Sequence, residues 1–160
     1  MAGNGSTMAP GGLCLVQDLA NTTALDERSA ARAWLGAALA TWARQTGQAA
    51  PRLTLVEPDL APLRAFRDRL RAWLRRRDDG FTVPARAVTV AVRAGRPVYA
   101  PQGDGADAVI ALVQVELLLA VQTGSLARLK TCANPDCAEV FFDTSADAGQ
   151  VRHAGPGCAQ

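Results

Sequence analysis

Apolar residues recur at helical spacing in the segment ERSAARAWLGAALATWARQTG. From Trp34 to Trp42 they lie three or four positions apart, which places them on one helix face. Asp26 or Ser29 is expected to cap the start of this helix, and Gly47 to end it. The pattern therefore predicts an amphipathic helix that packs this face against a core.

A second helix is predicted from about residue 59 to residue 77. Asp59 can act as its N-cap, Pro62 lies in the first turn, and Asp78-Asp79-Gly80 breaks the pattern afterwards. Its surface divides into an apolar stripe and a strongly basic remainder. The stripe consists of Leu63, Phe66, Leu70, Trp73 and Leu74, and the basic residues are Arg64, Arg67, Arg69, Arg71, Arg75, Arg76 and Arg77.

Two further segments have patterns that suit more than one element. LCLVQDLAN, residues 13–21, fits either a short strand or the start of a helix. Residues 88–92 alternate in a way that suits a strand or a helix, and residues 97–99 are expected to be extended. Periodicity leaves the first two assignments open.

Residues 106–122 are apolar nearly all round, which predicts the central buried helix of the fold. A turn at residues 102–105 precedes this helix, and Gly124 is its expected stop. Gln114 and Glu116 interrupt the run, and a bilayer span needs about 20 mostly apolar residues. The segment is too short and too polar for that role, so no membrane association is expected.

Composition places the chain among ordinary globular proteins, with 49% apolar and 20% charged residues. Residues 1–12 lack the basic start and apolar run of a signal peptide and are expected to form a flexible arm. Taken with the elements above, the chain is predicted to be a mainly helical α+β protein with a few short strands. A cytoplasmic location is expected.

The last thirty residues hold three of the four cysteines and the one histidine. Zinc favours four tetrahedral thiolate and imidazole ligands, and paired ligands let one turn deliver two of them. Turns are expected at Asn134-Pro135-Asp136 and at Gly155-Pro156-Gly157. Spacing alone also allows buried cysteines beside an exposed histidine. The candidate ligands follow the pattern C-x4-C-x15-H-x4-C: Cys132, Cys137, His153 and Cys158.

The stretch LKTCANPDCAEVFFDTS resembles the start of a CGNR-type zinc finger, and LVQDLANT resembles the signature of the ABATE domain that precedes such fingers. The resemblance runs from about Leu13 to Cys158. It implies an ABATE-like helical domain at residues 13–125 and a CGNR-like zinc module at residues 126–160. The family is regarded as stress-responsive transcription regulators. In this comparison His153 stands where the family has its third cysteine.

The finger departs from the family pattern where DNA contact is expected. Its loop after Asp-Thr-Ser is ADAGQVR instead of arginine-rich, Arg152 replaces a tryptophan, and the Gly-Asn-Arg after Cys158 is missing. Residues 1–130 carry sixteen basic and eleven acidic residues, a balance of +5, whereas residues 131–160 carry one and four, a balance of −3. Affinity for nucleic acid depends largely on lysine and arginine side chains that neutralise phosphates. We therefore expect a structural zinc site with little or no DNA binding.

The arginine-rich helix is the remaining candidate for nucleic-acid contact, through Arg71, Arg75 and Arg76. Runs of like charge are usually a solvated helix face, which is the favoured interpretation. The arginines also surround the helix instead of forming a stripe with aromatic neighbours, as single-strand binders require.

Asp18, Asn21 and Thr22 belong to the ABATE-like signature. They can line a ligand pocket, but side-chain to backbone hydrogen bonds at a turn are the favoured interpretation. Cys14 is expected to be a buried small residue. The histidine is committed to the tail, so no serine or cysteine nucleophile has a base, and GDG at residues 103–105 is a turn instead of a phosphate loop.

An open, catalytic zinc site is a further hypothesis. It requires that His153 or Cys158 be unbound, with Glu139 or Asp143 acting as base on a metal-bound water. The leading prediction is a zinc-binding transcription regulator that acts through a protein or small-molecule partner. The alternative is a scaffold recruited as a small-molecule-binding protein or an enzyme of specialised metabolism.

Overall fold

Four α-helices and two antiparallel strand pairs form the described part of the chain, residues 7–77, 80–155 and 158 of this computed structural model. This confirms the predicted mainly helical α+β class. Residues 1–6 of the expected arm, Asp78-Asp79, Pro156-Gly157 and residues 159–160 lie outside the described residues. The elements are α1 (Leu13–Asn21), α2 (Arg28–Thr46), α3 (Glu57–Arg76), β1 (Val88–Arg93), β2 (Arg96–Pro101), α4 (Gly105–Gln122), β3 (Leu129–Thr131) and β4 (Val140–Phe142).

The ambiguous segment at residues 13–21 is helix α1, which packs against α2, α3 and α4. Nearly all of its side chains are buried, including Cys14 at 1% exposure. The polar residues Gln17, Asp18 and Asn21 share one side of the helix, but nine residues are too few for periodicity to separate a helix from a strand. Just before it, Ala9 is also buried and its N–H donates to Gln17 Oε1 at 2.6 Å.

Helix α2 buries most of the predicted face, while Trp34 is only half-buried. Its N-cap is Glu27, between the two residues proposed for that role. The Glu27 carboxylate accepts from the N–H groups of Ser29 and Ala30 at 2.8 and 2.9 Å. At the other end Gly47 has φ +71°, so the predicted glycine stop is confirmed.

Helix α3 begins at Glu57, two residues before the predicted cap. Asp59 lies in the first turn, where its carboxylate accepts from Val56 N–H at 2.8 Å and from Ala106 N–H at 2.9 Å. Its role as N-cap was therefore wrong. The side chain instead ties the start of α3 to the start of α4.

Residues 88–101 form the hairpin β1–β2, in which Val90 lies opposite Tyr99. Ala94 and Gly95 make the two-residue turn with φ +49° and +75°, which suits the twist of paired strands. The side chain of Gln48 accepts from Tyr99 N–H at 3.4 Å and thereby joins the hairpin to the end of α2.

Helix α4 occupies the centre of the fold, as predicted, over its first three turns. Its C-terminal part departs from that prediction, since Leu118 and Val121 are 60% and 57% exposed. Among the described residues α4 is the one helix with the length and apolar composition of a membrane span. Most of it packs inside the fold, which is the behaviour of the core helix of a soluble domain.

Glu116 of α4 is a buried acid that sequence reasoning treated only as an interruption. It is 3% exposed and accepts from Trp42 Nε1–H at 2.6 Å and from Tyr99 O–H at 2.5 Å. Its carboxylate also lies against the backbone of Gly12. Burial raises the pKa of Glu116 above its ordinary value, against the two hydrogen bonds that lower it.

The β3–β4 pair attaches the C-terminal segment to this core. Leu129, Val140 and Phe142 belong to the same cluster of buried side chains as the helices. Strand β3 contacts α3, and β4 contacts α1. The cysteine-bearing loops therefore extend from a strand pair that is packed against the helices.

Candidate metal centre

The four candidate ligands converge on one point. The Sγ atoms of Cys132, Cys137 and Cys158 and a ring nitrogen of His153 all lie within 4.8 Å of one another. The Cys137 Sγ to His153 Nδ1 distance is 3.8 Å. Tetrahedral zinc bonds of about 2.3 Å to sulfur and 2.0 Å to nitrogen imply roughly 3.5–3.8 Å between neighbouring ligand atoms. The cluster therefore has the donor set and nearly the spacing of a Cys3His metal site.

The first ligand pair is delivered by the predicted turn at residues 134–136. Asn134 Oδ1 accepts from Asp136 N–H at 3.1 Å, and Cys137 N–H donates to Asn134 O at 3.0 Å. Cys132 N–H then donates to Glu139 O at 2.9 Å. These bonds reverse the chain so that both sulfurs face the same side. In addition, Glu139 N–H lies 3.5 Å from Cys137 Sγ, where it can stabilise a thiolate.

The second ligand pair is brought to the first by backbone contacts across the module. Ala133 N–H donates to Val151 O at 2.8 Å, which aligns the segment before His153 with the first cysteine. Asn134 Nδ2–H lies 3.4 Å from Cys158 Sγ. Three of the four ligands are buried and Cys137 is half-buried, so an ion held here is largely shielded from solvent.

The thiols differ in their readiness to ionise. Burial disfavours a thiolate at both Cys132 and Cys137. At Cys132, hydrogen bonds from the backbone N–H groups of Asn134 and His153 outweigh burial and lower its pKa to about 6. At Cys137 the neighbouring thiols add to burial, and its pKa rises to about 11. Metal binding requires deprotonated cysteines, and a bound divalent cation would compensate their charge.

Asp143 anchors the loop between the ligand pairs. This fully buried carboxylate accepts from Lys130 Nζ at 2.6 Å, from Ser145 N–H at 2.9 Å and from Gln150 N–H at 3.0 Å. Burial opposes ionisation, but these donors hold the pKa of Asp143 well below its usual range. Both carboxylate oxygens are already engaged. Asp143 is therefore a structural anchor, and its hydrogen bonds argue against the role of base on a metal-bound water.

Glu139, the other candidate base, faces the helical domain. Its Oε1 accepts from Asn21 Nδ2 at 3.1 Å. Burial raises the pKa of Glu139, while the nearby His153 and Arg71 act in the opposite direction. The carboxylate thus lies at the contact between the module and α1. Nothing in its hydrogen bonding directs it to the four ligand atoms.

The residues of the ABATE-like signature make backbone contacts. Asn21 accepts from Val140 N–H at 2.8 Å and donates to Val140 O at 2.7 Å, in the manner of an additional strand residue beside β4. Thr22 Oγ1 accepts from Ala24 N–H at 3.1 Å. Asp18 is half-buried, and burial raises its pKa. Gln17, which sequence reasoning did not single out, donates to Val140 O at 3.1 Å.

The three arginines proposed for nucleic acid have different surroundings. Arg71 is half-buried, its pKa is lowered chiefly by burial, and its guanidinium lies 3.5 Å from Ala138 O of the cysteine module. Arg75 and Arg76 are exposed near the end of α3. Others of the seven serve the fold: Arg67 donates to Thr22 O and Arg77 to Leu129 O. The basic surface of α3 is partly used for internal packing.

A scan against protein-family models, a search of curated proteins and a search of solved structures each find no match to this chain. The ABATE and CGNR resemblance accordingly stays a prediction. What the geometry establishes is a cluster of three cysteines and one histidine that can hold a metal ion.

Proposed function

We propose that the C-terminal module binds one zinc ion through Cys132, Cys137, His153 and Cys158, and that this ion holds the module in its folded form. The convergence of four ligand atoms within 4.8 Å carries the proposal. A complete, thiolate-rich set of four protein ligands is typical of structural zinc, whereas a catalytic zinc keeps an open position. The hydrogen bonds that engage both carboxylate oxygens of Asp143 favour the structural role as well.

Elemental analysis of protein purified without added zinc tests this proposal. We expect one zinc per chain, and Cys132→Ala should abolish stoichiometric binding. Cys14→Ala is the matched control, because Cys14 is also a buried cysteine but lies outside the cluster. Less than half an equivalent of zinc in the unmodified protein, or unchanged zinc in Cys132→Ala, contradicts the proposal.

For the whole chain we propose a regulator of the ABATE/CGNR type, in which the finger serves the fold and the helical domain engages the partner. The resemblance of residues 13–158 supports the class of protein. The −3 balance of residues 131–160 and the contact of Arg71 with Ala138 support a finger with little affinity for DNA.

Gel-shift measurements on duplex DNA over a range of salt concentrations test the role of the finger. At low salt we expect the parent protein and Cys132→Ala to give the same result, because the finger does not contribute to DNA binding. Arg75→Gln/Arg76→Gln serves as a comparison, since these exposed arginines lie outside the module. A strongly salt-dependent shift that disappears in Cys132→Ala but persists in the arginine variant overturns the assignment of a purely structural finger.

A further inference from the structure

A groove of about 400 Å³ lies on the helical domain, between α2 and the linker that follows it. Its floor is made by the buried side chains of Leu35, Leu39 and Leu55. Pockets for small molecules commonly measure about 300–1,000 Å³ and are mostly apolar with a few placed polar groups. The groove has this size and character, and its lining shares no residue with the metal centre.

Small residues on α2 keep the groove open. Gly36 and Ala40 lie one turn apart and both line it. A Cβ atom added at Gly36 meets no atom within 4 Å, so the space beside this glycine is empty instead of being filled by a neighbouring element. Since glycine within a helix costs about 0.5–1 kcal/mol relative to alanine, its presence here gives the groove room at the expense of helix stability.

The linker opposite α2 is anchored on both sides of the groove. Before it, Gln48 Nε2 donates to Pro97 O at 2.8 Å. After it, Thr54 N–H donates to Asp104 Oδ1 at 2.6 Å, and Leu55 is 1% exposed. The linker between these points is thus held in position. The groove is therefore preformed, which lowers the entropic cost of binding a ligand.

Arginine supplies the charge of the groove. Arg32 and Arg52 line it, both are exposed, and no carboxylate is among the described residues that line it. Within the described part of the chain, neither guanidinium makes an ion pair or hydrogen bond. Guanidinium groups pair with carboxylates in charge-assisted, often bidentate geometry. The groove thus combines an apolar floor with two arginine side chains that have no partner among the described residues. These features complement a molecule with an apolar body and a carboxylate end.

We propose that this groove is a binding site for a small apolar carboxylate, with the apolar body on Leu35 and Leu39 and the carboxylate at Arg32 and Arg52. This site is separate from the metal centre. The site is also independent of the zinc-dependent fold proposed above. Neither the residues that line the groove nor those that anchor the linker belong to the C-terminal module.

Calorimetric titration of the zinc-loaded protein with octanoate tests the proposal, with 1-octanol as the uncharged probe of the same length. We expect saturable octanoate binding and at least about tenfold weaker affinity for octanol, in line with the strength of charge-assisted bonds. Arg32→Gln/Arg52→Gln should weaken octanoate about tenfold and leave octanol nearly unchanged.

Gly36→Leu should abolish binding of both probes because it fills the empty space on α2. Ala37→Leu is the matched control: it adds the same kind of side chain to the same helix, at an exposed position that does not line the groove. Zinc content and circular dichroism of each variant distinguish loss of this site from failure of the metal-dependent fold.

No saturable octanoate binding, equal affinity for the two probes, or binding unaffected by Gly36→Leu each overturns the proposal. Size-exclusion chromatography adds one further outcome. If a second copy covers the groove, the protein dimerises, Gly36→Leu makes it monomeric, and the assignment to a carboxylate is wrong.

Discussion

The carboxylate of Glu116 lies against the backbone of Gly12 and leaves no room for a side chain there. A Cβ atom built on Gly12 falls 1.6 Å from Glu116 Oε2. The carboxyl group has little freedom to withdraw, because Trp42 and Tyr99 hold it from the other side. Position 12 is therefore limited to glycine by lack of space, at a backbone φ of −69° that any residue adopts.

We predict that Gly12→Ala destabilises the protein by about 1–3 kcal/mol through overpacking. Gly36→Ala is the matched control and should stabilise by about 0.5–1 kcal/mol, since it lies within a helix beside empty space. Urea denaturation measures both. Equal effects of the two substitutions contradict the close contact at Gly12.

Glu116 also makes stability depend on pH. Burial raises its pKa in the folded protein above the ordinary value of 4.5. A carboxyl whose folded pKa is raised weakens folding progressively as pH rises from the unfolded pKa through the folded pKa, because only the unfolded state ionises freely there. Glu116→Gln keeps an acceptor for Trp42 and Tyr99 but removes this titration.

We predict that the free energy of unfolding of Glu116→Gln, relative to the parent protein, increases between pH 4.5 and pH 7.5. Denaturation of both proteins across this range measures the difference, in which the pH dependence of metal binding cancels. A constant difference indicates that Glu116 has an ordinary pKa. Glu116→Leu leaves the Trp42 and Tyr99 donors without this acceptor and should cost about 2–4 kcal/mol at pH 4.5.

At the scale of secondary-structure elements, the contact of α1 with β4 joins the cysteine module to the helices. Gln17 and Asn21 project from one helix face and bind the backbone of Val140. The same strand presents Val140 and Phe142 to the core. Side chains of α1 thus form the hydrogen bonds with the edge of β4 that a third strand would otherwise form. These bonds orient the C-terminal module on the helices.

We predict that Asn21→Ala costs about 1–3 kcal/mol, because Val140 N–H loses its acceptor in a half-buried position. Exposed Thr23 in the following loop gives the control Thr23→Ala, which should change stability by less than about 0.5 kcal/mol. Zinc release to a competing chelator should also accelerate in Asn21→Ala. Unchanged stability and release indicate that the module holds its position independently of α1.

Across the whole molecule, the helical core and the cysteine module differ in how their residues are held in place. Leu129, Val140 and Phe142 pack against the helices, whereas residues 132–139 and 143–153 are held mainly by hydrogen bonds and carry three of the four candidate ligands. The ligand-bearing loops thus have little apolar burial, which is typical of segments that open locally.

We predict that chelation of zinc increases amide exchange in residues 132–153 and leaves α2 and α4 protected. Lowering the pH should release the metal as well, since thiolates and imidazole take up protons. Hydrogen-exchange mass spectrometry with and without chelator measures the first effect. Equal exchange in both samples contradicts a metal-held module, and global loss of protection contradicts a separately stable core.

Sequence patterns predicted the local structure correctly wherever it is fixed by contacts between residues that are close in sequence. Gly47 ends α2, and Asn134 turns the chain between two cysteines, both through interactions within a few residues. The residues that cap the helices were harder to predict. Asp59, for example, accepts a hydrogen bond not only at the start of its own helix but also from Ala106 N–H in α4, which is distant in sequence. The groove beside Gly36 had no signal in the sequence, since its second wall is a linker anchored by distant residues.

The sequence by itself determined the helix faces of α2 and α3, the mainly helical class and the identity of four candidate ligands, because spacing and donor chemistry depend on local order along the chain. Only the tertiary structure decided that residues 13–21 are helical, that Glu116 is buried and that Asp143 anchors a loop. Those outcomes depend on which distant groups exclude water and supply hydrogen bonds, and such contacts leave no periodic trace in the sequence.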